Sequence, residues 1–501
     1  WSFFKSPPPS DSTAKPPPAT ARFLTGRVVL EGRPVPKARV RFPGRADFEL
    51  TKADGTFQIA VPSNKPHRIT AWKEGCLIGG SLATDEPLSI KLTRLPDRDF
   101  KDYAWVDPTP NPEGEHNCGN CHPEIHDQWR SSAHARSASN PRFLNLLDGT
   151  DRHGEPDSGW NLLKDHPHGA GVCVACHAPT VAFDDPAYQD LRKAGGVDAH
   201  GVHCDYCHKI QSASVADVGK THGRFGLGLL RPEEGQLFFG PLDDVDRGED
   251  VYSPLYESSE YCASCHEGVV FGVHVYGTYS EWLESPARAA GKQCQSCHAA
   301  PTGMTNLAPG RGGLERDPRT LGDHRFHGGH AGTLKKCLKL SIKATKRDGT
   351  WLVQAEVLAE NVGHRVPTGF IDRHLILAIQ GFGDGQVAHL KGPTISSARA
   401  GEELSAAAGK IYAKLLTDKE GNVPVPFWRA RNDFKDTRLY PGKPDLVEVV
   451  FPGNVRELRV RLLYRRFWAT VAKEKKWPDN EVVVVDVRLP LSRGELRWKS
   501  R

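Results

Sequence analysis

Methionine is all but missing from this chain of 501 residues, where Met304 stands alone. Whatever metals the chain binds, a thioether sulfur can serve at no more than one of them. Long apolar runs are missing too. No stretch of 18 apolar residues occurs, which excludes a transmembrane helix in the sequence given. Only 38% of residues are hydrophobic and 8% aromatic, against 49 glycines and 38 prolines, which excludes a large helical core and favours short strands, turns and loops. Neither sign of charge is in large excess. The balance of 66 Lys+Arg and 61 Asp+Glu gives +5, too little to argue for nucleic acid. No secretory signal is recognisable, and the sequence starts at Trp1 without an initiator Met, as a processed exported chain would.

Cysteine is scarce outside one pattern. Ten of the 12 lie in five copies of Cys-x-x-Cys-His: Cys118, Cys121 and His122; Cys173, Cys176 and His177; Cys204, Cys207 and His208; Cys262, Cys265 and His266; Cys294, Cys297 and His298. That pentapeptide is the attachment site of a c-type haem. Its thiols add across the porphyrin vinyl groups, and the adjacent His reaches back as the proximal iron ligand. Four-cysteine zinc sites use CxxC units in pairs, so five copies leave one over. Neither zinc nor a disulfide requires His after the second Cys each time. The motifs therefore predict five covalently bound c-type haems. Their propionates largely cancel the formal basicity. Attachment after export implies a periplasmic or extracellular protein. Cys76 and Cys337 remain, either as a disulfide between two domains or as separate buried thiols.

The fold class predicted is multidomain. Residues 1–22 form a proline-rich leader, with PPP at 7–9 and 16–18. Residues 23–95 alternate with period two and turn at Glu31-Gly32, Ala53-Asp54-Gly55 and Glu74-Gly75, predicting a small N-terminal β-sandwich. Residues 96–333 hold the five motifs in a loop-rich, short-helix pentahaem cytochrome domain. Helices are expected over about 123–137 and 280–290, each carrying a shared WxxSx frame, at Trp129–Ala133 and Trp282–Pro286. The motif starts are 55, 31, 58 and 32 residues apart. From 334 to 501 alternation returns, predicting a C-terminal β-sandwich with strands near 374–380, 446–451, 458–464 and 482–489. The Val482–Val485 run reads as buried on both faces. A basic stretch from Phe451 to Arg501, with 13 Lys/Arg and 6 Asp/Glu, reads as a solvated surface or a docking face for an acidic partner.

The N-terminal elements Thr25-Gly26-Arg27-Val28, Gly32-Arg33-Pro34-Val35 and Ala53-Asp54-Gly55-Thr56-Phe57 resemble the carboxypeptidase-regulatory-like domain, which implies a scaffold without chemistry of its own. The segments from Cys121 to Ala135, from Gly201 to His208, from Thr278 to His298 and from His324 to His330 resemble nitrification-type tetrahaem cytochromes, over roughly 110–380. In that family the His of the Ser-x-His frame is a distal ligand to a different haem. The resemblance carries this role to His134. The further distal candidates are His324, His330, His274, His222 and His364, while His126 and His203 read as neighbours of the ligands. The fourth segment has Ala287 where the first has His134, and the family has four motifs rather than five, so one sixth ligand is left open.

With a single methionine, most haems are expected to carry two histidines and to work at low potential. The function predicted is electron transfer, with other redox proteins or extracellular acceptors as partners and no nucleic acid. A polymerising subunit of an extracellular cytochrome filament is the alternative, since head-to-tail contacts can propagate without closing. An oxidoreductase acting on a small nitrogen or sulfur compound is the second, and would need an open haem.

Overall fold

The computed structural model describes residues 22–61, 68–83, 87–113, 117–168, 171–492 and 494–500. Nearly all of the proline-rich leader, 1–21, and His116 lie outside these residues. The first strand-rich region has two four-stranded sheets. One is built on Phe23–Leu30, flanked by Arg33–Pro34 and Thr56–Ala60 antiparallel and by Leu88–Leu92 parallel. The other orders Glu49–Leu50, Arg39–Arg41, Arg68–Trp72 and Gly79–Leu82. Alternation turns one face of each strand inward. Leu24, Val28, Phe57, Ile59 and Ile90 from the first sheet thus meet Val40, Ile69 and Ala71 from the second in one buried cluster. The turn at Asp54-Gly55 needs its glycine, whose φ is +77° and whose added Cβ would strike the Val28 carbonyl at 2.8 Å.

The C-terminal region repeats the scheme at larger size. One sheet orders Asp445–Pro452, Thr350–Ala359, Leu338–Arg347 and Glu495–Lys499. The other carries His374–Phe382 between Ala408–Tyr412 and Glu457–Arg465, with Glu481–Pro490 beyond. Leu340, Ile342, Val353 and Val449 pack with Leu377, Ile379, Val460 and Leu462. The Val482–Val485 run is not buried on both faces. A register shift between Leu462 and Leu463 skips Val484, which turns inward, while Val483 is left 46% exposed. The β-bulge breaks the alternation locally, and the strand lies outside Glu457–Arg465 rather than between two neighbours.

Between these regions the chain runs in loops and short helices. Each WxxSx frame ends a helix instead of continuing one. Pro123–Ser131 stops at Ser132, and Thr278–Leu283 stops just before Ser285. The serine then starts a new turn: Ser285 Oγ accepts from Arg288 N and is followed by Pro286, and Ser132 Oγ accepts from Ala135 N. Proline has no N–H to continue the preceding helix, and serine caps the next one. The expected long helices are therefore each two short ones.

Both strand-rich regions are tied to the middle of the chain by charge. Arg39 and Arg41 meet Asp243 at 3.2 and 2.9 Å, and Arg68 pairs with Asp246. On the other side Arg438 bridges Glu281 at 2.5 Å and Asp436 at 2.8 Å, with both Arg438 and Glu281 buried at 6% exposure.

Candidate haem sites

Each CxxCH pentapeptide forms a turn of helix, as in Cys118–Cys121, Gly171–His177, Cys204–Cys207, Glu260–His266 and Gln295–His298. One helical turn brings both thiols to one side. None of the ten motif cysteines is buried, whereas Cys76 is. Cys76 and Cys337 are both free thiols in separate apolar clusters, so no disulfide joins the two strand-rich regions.

The proximal imidazoles are oriented from behind. Nδ1 of His122 donates to the Leu307 carbonyl at 2.7 Å, and that of His177 to Ser137 at 2.9 Å. Nδ1 of His208 donates to Phe239 and that of His298 to His327, both at 2.6 Å. A donor at Nδ1 fixes the tautomer and leaves the Nε2 lone pair for a metal. Burial pulls His266 down to about 3 and lowers His122, His177 and His208, so these rings are neutral, the form that ligates iron.

Two thiols and an outward-facing imidazole per motif fit a covalently held haem, and the surroundings fit it too. Tyr206 OH, His203 Nε2, His222 Nδ1, Arg224 Nη2 and Gln295 Oε1 are buried without a protein partner in or beside the motifs. Such clustering of unmatched polar atoms points to a polar group beyond the chain. Arg224 and Tyr206 are donors of the kind a propionate takes. A zinc reading has no such support: among the described residues no three His, Cys, Asp or Glu side chains gather as a metal site.

The motifs lie beside one another. The thiol of Cys118 acts on that of Cys204, Cys265 on Cys176, and Cys294 on Cys262. Tyr206 sits among Cys176, Cys207 and Cys265. Motifs one, three, four and five thus follow one another, with motif two joined beside motif four. Sequence spacing alone suggested neighbours at 31 and 32 residues; the contacts between motifs one and three and between two and four come from folding back of longer segments.

The six distal candidates separate into two groups. His134 places its ring centre 6.2 Å from that of His266, with the planes at 75°. His364 places its ring 6.3 Å from His298, with the planes at 17°. His324 feels the imidazole of His208 and, more weakly, that of His122, and donates Nδ1 to the Gly322 carbonyl at 3.0 Å. Burial pulls His134 and His324 to about 4 and lowers His364. The other three are not brought to a proximal ring. His274 Nε2 is taken by Glu267 at 2.5 Å. His222 turns to the carbonyls of Glu267 and Val269. His330 is exposed beside His327, at 6.5 Å.

The open position at Ala287 has a local answer. Gly363 sits over it, and a Cβ on Gly363 would come within 3.2 Å of the Ala287 Cβ. The small side chain admits the loop that brings in His364. Sequence reasoning missed the rings that set the imidazoles. Phe143 stacks on His177 at 4.0 Å and 13°, and Phe326 stands edge-on to His134 at 4.9 Å. It also missed the buried Asp205–Lys209 pair inside and just after the third motif, which binds Tyr103 OH and Val106 N, each at 2.9 Å through Asp205.

These sites and this fold define the class: a multihaem c-type cytochrome with covalently bound haem. Within that class, the family of cytochrome c554 and c-prime matches residues 117–209. The fold is similar to that of a penta-haem cytochrome c552 from Thermochromatium tepidum, with a TM-score of 0.54 and 21% identity over 75% of this chain and 97% of that one. No curated protein matches the chain. Among the described residues no helix is long and apolar enough to cross a membrane.

Proposed function

We propose that the chain is an exported electron-transfer protein holding five c-type haems, three of them between two histidines. The ring spacing carries this reading. Two imidazoles bonded at about 2 Å to opposite sides of one iron have ring centres roughly 6 Å apart. His134–His266 at 6.2 Å and His298–His364 at 6.3 Å have that separation before any metal is considered. His324 completes the His208 site. Bound haem supplies one-electron chemistry at its iron. The chain's own residues attach it, hold the imidazoles neutral and oriented, and bring the five motifs side by side. Redox proteins or extracellular acceptors are the partners, and none of this calls for nucleic acid.

One observation favours a second reading, catalysis on a small nitrogen or sulfur compound. The three assignments leave His122 and His177 without a second imidazole. Carbon monoxide titration of the dithionite-reduced protein separates the outcomes, because it binds only where a sixth position is open. At most two equivalents per chain are expected. Three or more would overturn at least one of the assignments of His134, His324 and His364; none would remove the catalytic reading. Spectral change on adding nitrite or hydroxylamine at the same haems would favour catalysis.

A further inference from the structure

The segment from Gly322 to His330 touches three of the sites at once. Its His324 is the imidazole proposed for His208, and its His327 carbonyl accepts from His298 Nδ1 at 2.6 Å. Between them Phe326 stands edge-on to two imidazoles, to His134 at 4.9 Å and 69° and to His324 at 5.9 Å and 70°. Its backbone is left-handed, with φ +47°, a conformation that a bulky L side chain seldom adopts and keeps only where its surroundings dictate it. The flanks supply that restraint. Gly322 bridges to Pro301, His324 N donates to Gln128 Oε1 at 3.0 Å, and a Cβ on Gly329 would meet Tyr464 OH at 2.8 Å.

We propose that Phe326 is a positioning residue: it wedges between the His134 and His324 rings and fixes the rotation of His134 about its iron-facing axis. Among the described residues the His134 ring has no hydrogen-bond partner to set that rotation, unlike His324 and His364, whose Nδ1 atoms donate to Gly322 and Arg365 carbonyls. Packing against Phe326 is then what keeps the His134 and His266 planes 75° apart, while His298 and His364 lie nearly parallel at 17°. The angle between axial imidazole planes governs the splitting of the iron d orbitals. Crossed planes give a strongly anisotropic low-spin signal in electron paramagnetic resonance, and parallel planes give a rhombic one. The inference rests on His134 and His266 sharing one iron.

The test is that spectrum, recorded on the oxidised, haem-loaded full chain. The native protein is expected to show both kinds of low-spin signal. Phe326→Leu, which keeps bulk but not a flat edge, should move or broaden the anisotropic signal and leave the rhombic one in place. Phe326→Tyr should restore it. His134→Ala should abolish the anisotropic signal and yield a high-spin haem. If His134→Ala does so while Phe326→Leu leaves the signal unmoved, the role of Phe326 is overturned and the ligation stands. If His134→Ala leaves every low-spin signal intact, the ligation itself is overturned.

Discussion

Asp372 and His374 show how single buried groups set opposite pH dependences two residues apart. Asp372 is 1% exposed, accepts from Trp468 Nε1 at 2.9 Å through Oδ1, and has no partner for Oδ2. Burial raises its carboxyl to about 7. The folded chain therefore holds that proton more tightly than the unfolded one. Its stabilisation is full below about pH 4 and is lost as pH climbs to about 7, at roughly 1.4 kcal/mol per unit. His374, stacked on Trp468 at 4.2 Å, is pushed down to about 3 by burial. Its folded pKa is depressed, so its contribution is lost as pH falls from about 6.5 toward 3. The two slopes oppose each other over the shared range. Asp372→Asn keeps the acceptor for Trp468 and removes one slope. Its melting temperature, measured against the native protein, should improve from pH 5 to about pH 7 and then level off. A constant difference across that range would show that Asp372 does not titrate there.

At the scale of elements, short helices in the middle of the chain stand because other segments hold them. The Pro141–Asp148 helix carries Phe143 onto His177, and it is gripped by the C-terminal helix Ala469–Glu474 and the residues after it. Lys475 is fully buried, with Nζ donating to the carbonyls of Asn145 at 2.8 Å, Thr150 at 3.0 Å and Trp160 at 2.8 Å; burial lowers it to about 8. Lys475→Met leaves three buried carbonyls unmatched, a cost of about 3 kcal/mol after water relieves part of it. Amide hydrogen exchange should rise across 141–160 while the Leu338–Arg347 and Thr350–Ala359 strands stay protected. Unchanged exchange at 141–160 would mean that the helix does not depend on this contact. Such grips are why the site was only partly legible in the sequence. Motif spacing and alternation are local, so the CxxCH turns, most strands and the WxxSx frame could be read directly. The bulge at Val484, the partner of each imidazole and the rings of Phe143 and Phe326 depend on residues far apart in the chain. His274 and His222 stood behind His134 as further candidates, and the placement of Glu267 beside them separates them from it.

For the whole molecule, the decisive junction is between the haem-bearing middle and the C-terminal strands. His364 lies in the loop after Thr350–Ala359, so a ligand candidate for the fifth motif is supplied from beyond the cytochrome segment. That loop is fastened to the Thr278–Leu283 helix. Thr368 Oγ1 donates to Glu281 at 2.7 Å, Arg438 joins Glu281 to the Pro367 carbonyl, and Tyr440 OH donates to the Glu284 carbonyl. Because Glu281 and Arg438 are both buried, removing Arg438 strands Glu281 at a cost of several kcal/mol, whereas removing Glu281 leaves Arg438 its Asp436 partner. If His364 is that ligand, the C-terminal region is part of the redox unit and not an appendage. His364→Ala should leave haem attached at Cys294 and Cys297 but convert one low-spin haem to high-spin. The near-parallel, rhombic signal should disappear, and carbon monoxide uptake by the reduced protein should rise by one equivalent. Glu281→Gln should produce a milder form of the same change, because the loop loosens while the imidazole remains. If His364→Ala instead leaves both the rhombic signal and the carbon monoxide capacity unchanged, the fifth haem takes its sixth ligand from elsewhere, and the C-terminal strands serve it only as a wall.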